Sequence, residues 1–177
     1  MRKQKGFSLI ELLIVVAIIL IIAAIAIPNL VRSRIAANNS AAASTVRTLN
    51  TAEATYTTTY PQAGYSPDLV TLGPGVATGC PATGPTSTAA CLIDFVLGAA
   101  TGTTGAFNTK DAFKFEITGL GGPPATDYVI FGTPLGTNSG TFDYCSTSDA
   151  VVRSNPDNNP PTAALAAAST CQGYTAL

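Results

Sequence analysis

A chain with no histidine must do any acid–base, nucleophilic or metal chemistry with carboxylates, hydroxyls, amines and thiols. The thiols are Cys80, Cys91, Cys145 and Cys171. No two of them form a C-x-x-C pair, so the spacing supports neither a zinc site nor a redox dithiol. Asp143, Asp149 and Asp157, with Asn155, Asn158 and Asn159, offer the oxygen donors that calcium takes. They show no EF-hand order and no tight acidic cluster, and they read as solvated loop residues. No metal or cofactor is expected, and no catalytic constellation is visible, so the chain is not read as an enzyme. The remaining chemically conspicuous residue is Glu11, a carboxylate set inside a long apolar run.

The elements that must carry these residues follow from length and patterning. At 177 residues the chain fits one domain with an appendage. Nine Lys and Arg against ten Asp and Glu give a formal charge of -1, too near neutral to imply nucleic-acid binding. Charged residues make up 11% of the chain, where about 25% is usual for soluble domains. Much of the apolar content sits in residues 7–27, and Leu12 to Ile27 are sixteen consecutive apolar residues. A helix over residues 7–27 spans about 31 Å, enough to cross a hydrocarbon core. Arg2, Lys3 and Lys5 precede it and should stay cytoplasmic, which places the rest of the chain outside that membrane.

A secretory signal peptide cut near Ala24-Ile25-Ala26 fits poorly, because the apolar run is too long and contains a carboxylate. A plain single-pass anchor has equally little use for Glu11, whose burial in lipid costs up to about 2.5–3.5 kcal/mol at a helix centre. The stretch Gly6-Phe7-Ser8-Leu9-Ile10-Glu11-Leu12-Leu13 resembles the cleavage and methylation motif of type IV pilins and pseudopilins. The resemblance is nearly continuous over residues 5–35. It implies that a membrane peptidase cuts between Gly6 and Phe7 and that Phe7 becomes the N-methylated end. It also implies that Glu11 and Pro28 correspond to the family's helix glutamate and helix-interrupting proline. Physically, removal of the leader deletes three positive charges and creates an ammonium at Phe7. Glu11 of one subunit paired with that ammonium on a neighbour would fix the stagger between packed helices.

Past the membrane segment, residues 29–60 read as a thinner amphipathic continuation of the helix. Val31, Ile35, Ala42, Val46, Leu49, Ala52, Tyr56 and Tyr60 fall largely on one face. Arg32, Arg34, Asn38, Asn39, Arg47, Asn50 and Glu53 form the polar face. Pro28 should kink or loosen the helix, Asn38-Asn39-Ser40 is a second weak point, and Pro61 should end the helix near Tyr60. The N-x-Ser pattern at Asn38 is read as coincidence. Residues 61–111, rich in Gly, Pro, Ser and Thr, read as an irregular connecting region.

Strand signals begin near residue 112. Phe113–Ile117 alternates cleanly, Asp127–Phe131 and Thr141–Cys145 follow, and Ala150–Arg153 is a fourth candidate. Their aromatic residues are expected in a core more than on a binding surface. The pattern resembles the head of bacterial pilins. An exported head lies in an oxidising compartment, where four Cys allow three connectivities. Cys80–Cys91 and Cys145–Cys171 are favoured because each closes a local loop and the second ties down the tail.

The expected fold is therefore α+β: a leader at 1–6, an apolar membrane and assembly helix at 7–28, its amphipathic half at 29–60, the connecting region at 61–111, and an antiparallel head at 112–177. The expected function is that of a structural pilin, polymerised with itself or related pilins. Its partners would be the prepilin peptidase and methyltransferase, the inner membrane before assembly, and the assembly machinery. A precursor held in the inner membrane with a periplasmic head, then an extracellular filament, is the expected route. A pseudopilin of a type II secretion system is the runner-up, and a secreted or anchored binding module is a more distant alternative.

Overall fold

The computed structural model describes residues 8–75, 79–98, 108–156 and 168–177. A single 51-residue helix, α1 (Leu9–Thr59), forms the spine, with Pro28 inside it. At 1.5 Å per residue it is about 76 Å long if straight. It is long and apolar enough near its N-terminus to cross a membrane. Tyr60 caps its C-terminal end, leaving helical geometry immediately before Pro61, whose ring disfavours that geometry in the preceding residue.

The sheet has six strands in the order of the chain, all antiparallel: β1 (Asn108–Lys110), β2 (Phe113–Leu120), β3 (Asp127–Pro134), β4 (Asp143–Thr147), β5 (Arg153–Asn155) and β6 (Thr175–Ala176). Three short helices complete the described elements: α2 (Leu69–Leu72), α3 (Phe95–Gly98) and, before β6, α4 (Ala168–Gln172). This is a long apolar helix joined to an antiparallel sheet, the α+β pilin-like architecture that the sequence led us to expect.

The register explains the two sides of the sheet. Along β2, Phe113, Phe115 and Ile117 point inward to α1, while Lys114 and Glu116 lie on the other face. The inner core joins these residues to Ala42, Val46, Leu49 and Tyr56 of α1, with Tyr128, Ile130 and Tyr144 from the neighbouring strands. A smaller cluster on the outer face contains Val129, Phe131, Cys145 and Cys171. The Cys145–Cys171 disulfide, with Cα atoms 5.7 Å apart, ties α4 to β4 there. Cys80 and Cys91 are joined across a loop, with Cα atoms 5.9 Å apart.

Several local expectations are revised. The stretch 61–111 contains α2, α3 and β1, so it is not wholly irregular. Asp68 caps α2 by accepting from the Thr71 N–H at 2.8 Å, a local bond that can start a short helix without an apolar repeat. The third strand starts at Asp143 instead of Thr141, and the last candidate strand starts at Arg153 instead of Ala150. Asp149 accepts from the Val151 N–H and the Thr147 hydroxyl, both at 3.0 Å, and Ala150 takes a φ of 57°; these hold residues 148–151 in a turn.

Candidate functional site: the apolar stem of α1 and its seat on the head

The stem is built from isoleucine, leucine, valine and alanine side chains that find no packing partner among the described residues. From Leu9 to Arg34 every residue of α1 is exposed except Ala23, which is half-exposed. Leu9 is 80% exposed and Ile21 64%, values that water tolerates poorly over a continuous surface. Glu11 is exposed among them, and its Oε2 accepts from the Ser8 backbone N–H at 2.9 Å. Pro28 is also exposed and does not end the helix. Gly6 and Phe7 lie outside the described residues, as do the leader cations and Asp157, Asn158 and Asn159.

The upper half of α1 is seated on the sheet by apolar contacts and by polar clasps that the helical pattern had assigned to the solvent side. Val31 is in fact 40% exposed, and Asn50 and Glu53 are buried. Asn50 donates to Ser146 Oγ at 2.9 Å and accepts from Tyr128 Oη at 3.0 Å. Glu53 accepts from the Ser66 N–H at 3.0 Å and also bonds the Ser66 hydroxyl. Burial pushes the Glu53 carboxyl up to about 7, and the two Ser66 bonds only partly oppose this. Burial, aided by the Glu53 charge, also pushes the Tyr128 phenol up.

Asn38 and Asn39 do not weaken the helix. Asn38 donates to the Ser139 carbonyl at 2.8 Å, and Asn39 both donates to Thr141 Oγ1 at 2.9 Å and accepts from the Thr141 N–H at 3.2 Å. Gly140 allows this close approach, because a Cβ there would sit 2.4 Å from the Phe113 ring and 2.8 Å from Asn39 Oδ1. Sequence reasoning missed these clasps because their partners are about a hundred residues away.

The acids considered for calcium are not gathered. Asp149 is paired with Arg153 and held well down, to about 2, by the guanidinium first and nearby donors second. Asp143 is fully buried in β4, with neither carboxylate oxygen hydrogen-bonded, and burial pushes its carboxyl up to about 7. Among the described residues no group of three or more His, Cys, Asp and Glu is placed to hold a metal. A cleft of about 470 Å³ at the far end of α1 is lined by Tyr56, Tyr65, Pro67, Ser87, Gly119 and Pro123. Among the described residues its lining includes neither a carboxylate nor a cation.

An unpartnered apolar helix on a disulfide-stapled antiparallel head defines a protein whose distinctive surface is for membrane or helix contacts. Residues 1–27 match the prokaryotic N-terminal methylation motif. The chain is 62% identical over 40 residues to the type IV wide pilus major component PilA4 of Thermus thermophilus, covering 23% of this chain and 30% of that protein. It is 46% identical over 54 residues to the type IV major pilin protein PilA of Myxococcus xanthus, covering 30% of this chain and 24% of that protein. The aligned stretches thus span less than a third of either relative. No solved structure matches. Together they show that the chain carries the prokaryotic N-terminal methylation motif and is similar, over part of its length, to two type IV pilins.

Proposed function

We propose that the chain is a structural subunit of a type IV pilus. A prepilin peptidase cuts between Gly6 and Phe7, Phe7 is N-methylated, and the subunits polymerise through the stem of α1. Before assembly the stem holds the chain in the inner membrane with its head in the periplasm; afterwards the head forms the outer surface of an extracellular filament. The role is structural, and partners are copies of the chain or related pilins together with the processing and assembly machinery.

The observation that carries this reading is the exposure of nearly every side chain of the apolar stem, from Leu9 through Leu30, on a helix whose upper half is firmly seated. Lipid satisfies such a surface first, and neighbouring stems can satisfy it in a filament. The lone carboxylate, Glu11, then has a use that a plain anchor lacks: an ammonium at Phe7 of a neighbouring stem is its complementary charge.

The test is intact-mass measurement and N-terminal peptide mapping of protein sheared from cells. Chains beginning at methylated Phe7 and abundant in the sheared fraction are the expected result. Processed chains confined to membranes would favour a secretion pseudopilin, and a mature end after Ala26 would overturn the pilin reading.

A further inference from the structure

Among the described residues of the head, the large apolar side chains left exposed are Phe95, Val96, Leu135, Phe142, Val151 and Leu177. The first four gather at one end. Phe113, which opens β2, is paired with Pro134, which closes β3, so Leu135 lies just past that end and its N–H donates to the Ala112 carbonyl at 2.9 Å. Phe142 follows Thr141, which is clasped to Asn39 of α1, and precedes the start of β4. Phe95 and Val96 follow Asp94, whose carboxylate pairs with Lys110, the partner of Phe113 in the β1–β2 register. This is the end at which α1 leaves the head, because the exposed stem ends at Arg34, one turn before Asn38 meets Ser139. Scattered apolar residues on a surface need no explanation; a set gathered where an apolar stem emerges does.

The length of the stem sets how far this end stands from lipid. From Leu9 to Val31 the stem runs about 34 Å, against about 30 Å of hydrocarbon and about 40–45 Å for a bilayer with its headgroups. With Val31 at the edge of the hydrocarbon, the exposed Arg32 and Arg34 fall at the phosphates. Asn38 then stands about 10 Å farther along, at the outer rim of the headgroup layer. A stem longer than the hydrocarbon is accommodated by tilt, and tilt lowers one side of the head towards the surface.

We propose that this end of the head is a lipid-contact surface, resting on the leaflet from which the stem emerges. Leu135 and Phe142 settle among headgroups and upper acyl chains, Phe95 and Val96 extend the contact along the same end, and Arg32 and Arg34 hold phosphates beside them. The inference rests on the membrane reading above. Lipid is favoured over a second head because the surface is continuous with the stem and two cations stand beside it. Asp111, exposed at the same end, opposes them in charge, while Lys110 and Asp94 offset each other. Contact at both stem and head fixes the height and rotation of the head before assembly. Leaving the membrane for a filament then requires peeling this surface off as well as withdrawing the stem.

The experiment places the full chain, one copy per disc, in nanodiscs of phosphatidylethanolamine and phosphatidylglycerol. A nitroxide is attached in turn through Thr137→Cys, Ser148→Cys or Ile19→Cys, and its collisions with a water-soluble nickel chelate are measured. Thr137 is exposed in the loop between β3 and β4, and Ser148 is exposed just past β4, at the opposite end of the sheet. Position 137 should be several-fold less accessible than position 148. Leu135→Ser with Phe142→Ser should bring the two together, with an unchanged melt of the head showing that the fold is intact. Equal access at 137 and 148 in the otherwise native chain would overturn the seat. Protection at 137 that appears only with several copies per disc would give the surface to another head and overturn it equally. Replacing phosphatidylglycerol with phosphatidylcholine should raise access at 137, and no change would overturn the part given to Arg32 and Arg34. Water access at position 19 would refute the membrane reading itself, separately from the seat.

Discussion

Between Leu9 and Arg34, α1 turns leucine, isoleucine and valine outward; between Ala42 and Tyr56, the same helix hides an asparagine and a glutamate. The contrast reverses the usual expectation for a soluble protein, and it follows from where each half finds its partners. The upper half has a sheet beside it, so its apolar side chains pack on Phe113, Phe115 and Ile130, and its buried polar groups meet donors and acceptors from the strands. The stem has no sheet beside it. Its satisfaction must come from outside the chain, and burial within the fold cannot be used to judge which of its residues matter.

A charge placed in the stem gives the largest separation of the two halves. Ile19→Asp puts a carboxylate at an exposed position of the apolar stem, where insertion under the proposed reading would cost about 2.5–3.5 kcal/mol more. Filaments should be lost and the membrane-held fraction should fall, while the head's unfolding midpoint in detergent stays within about 0.5 kcal/mol of native. Cell fractionation and thermal melts of the same variant check both parts. A head that melts early would show that the halves are energetically coupled.

The converse change belongs in the seated half. Leu49 is fully buried in the inner core, and Leu49→Ala should cost the head about 2–5 kcal/mol through lost burial and the cavity left behind. Membrane insertion should be unchanged. Denaturant unfolding followed by the near-ultraviolet signal of the buried tyrosines measures the first, and fractionation the second.

How far the sequence discloses each half follows from the same contrast. The stem is legible because its signals are local: sixteen consecutive apolar residues, one carboxylate and a motif in the first turn. Phe113–Ile117 is legible because alternation is a property of one strand. The clasps are not, because an asparagine on a helix reads as solvated until its partner is known, and the partners of Asn38 and Asn50 lie about a hundred residues away. β1, with the sequence Asn-Thr-Lys, carries no apolar alternation and becomes a strand by pairing with β2. Asp143 falls inside the Thr141–Cys145 strand signal, but an acid there reads as exposed until the register places it opposite Asn155 within the sheet.

Buried acids make the seated half sensitive to pH where the stem gives no such expectation. The folded chain holds the Glu53 proton up to about 7, while the unfolded chain releases it near the ordinary glutamate value of 4.5. The folded state therefore binds more protons between those values, so the contribution to stability is full below about 4.5 and is lost as pH rises through about 7. The loss is about 3 kcal/mol across that window. Burial raises Asp143 in the same direction, so its contribution adds the same sign. Melts between pH 4 and 8 should show the decline, and Glu53→Gln should flatten it in part, with Asp143→Asn flattening more. A native head whose stability rises with pH over this range would contradict the burial of both carboxyls as ionisable groups.

The smallest effect falls at the boundary between the halves, where the contrast is most easily blurred. Asn38 sits at the last turn before the seated segment, half-buried, and its amide reaches the Ser139 carbonyl at 2.8 Å. Asn38→Ala deletes one hydrogen bond next to solvent, and water can replace the lost donor at the carbonyl, so the cost should be about 1 kcal/mol or less. The head should remain folded and the stem should still insert. What should change is the lower edge of the seat: amide exchange in residues 36–41 of α1 should speed up several-fold, with residues 46–56 unaffected. Equal protection in the variant and the native chain would mean that Asn39, through its paired bonds to Thr141, sets this edge alone.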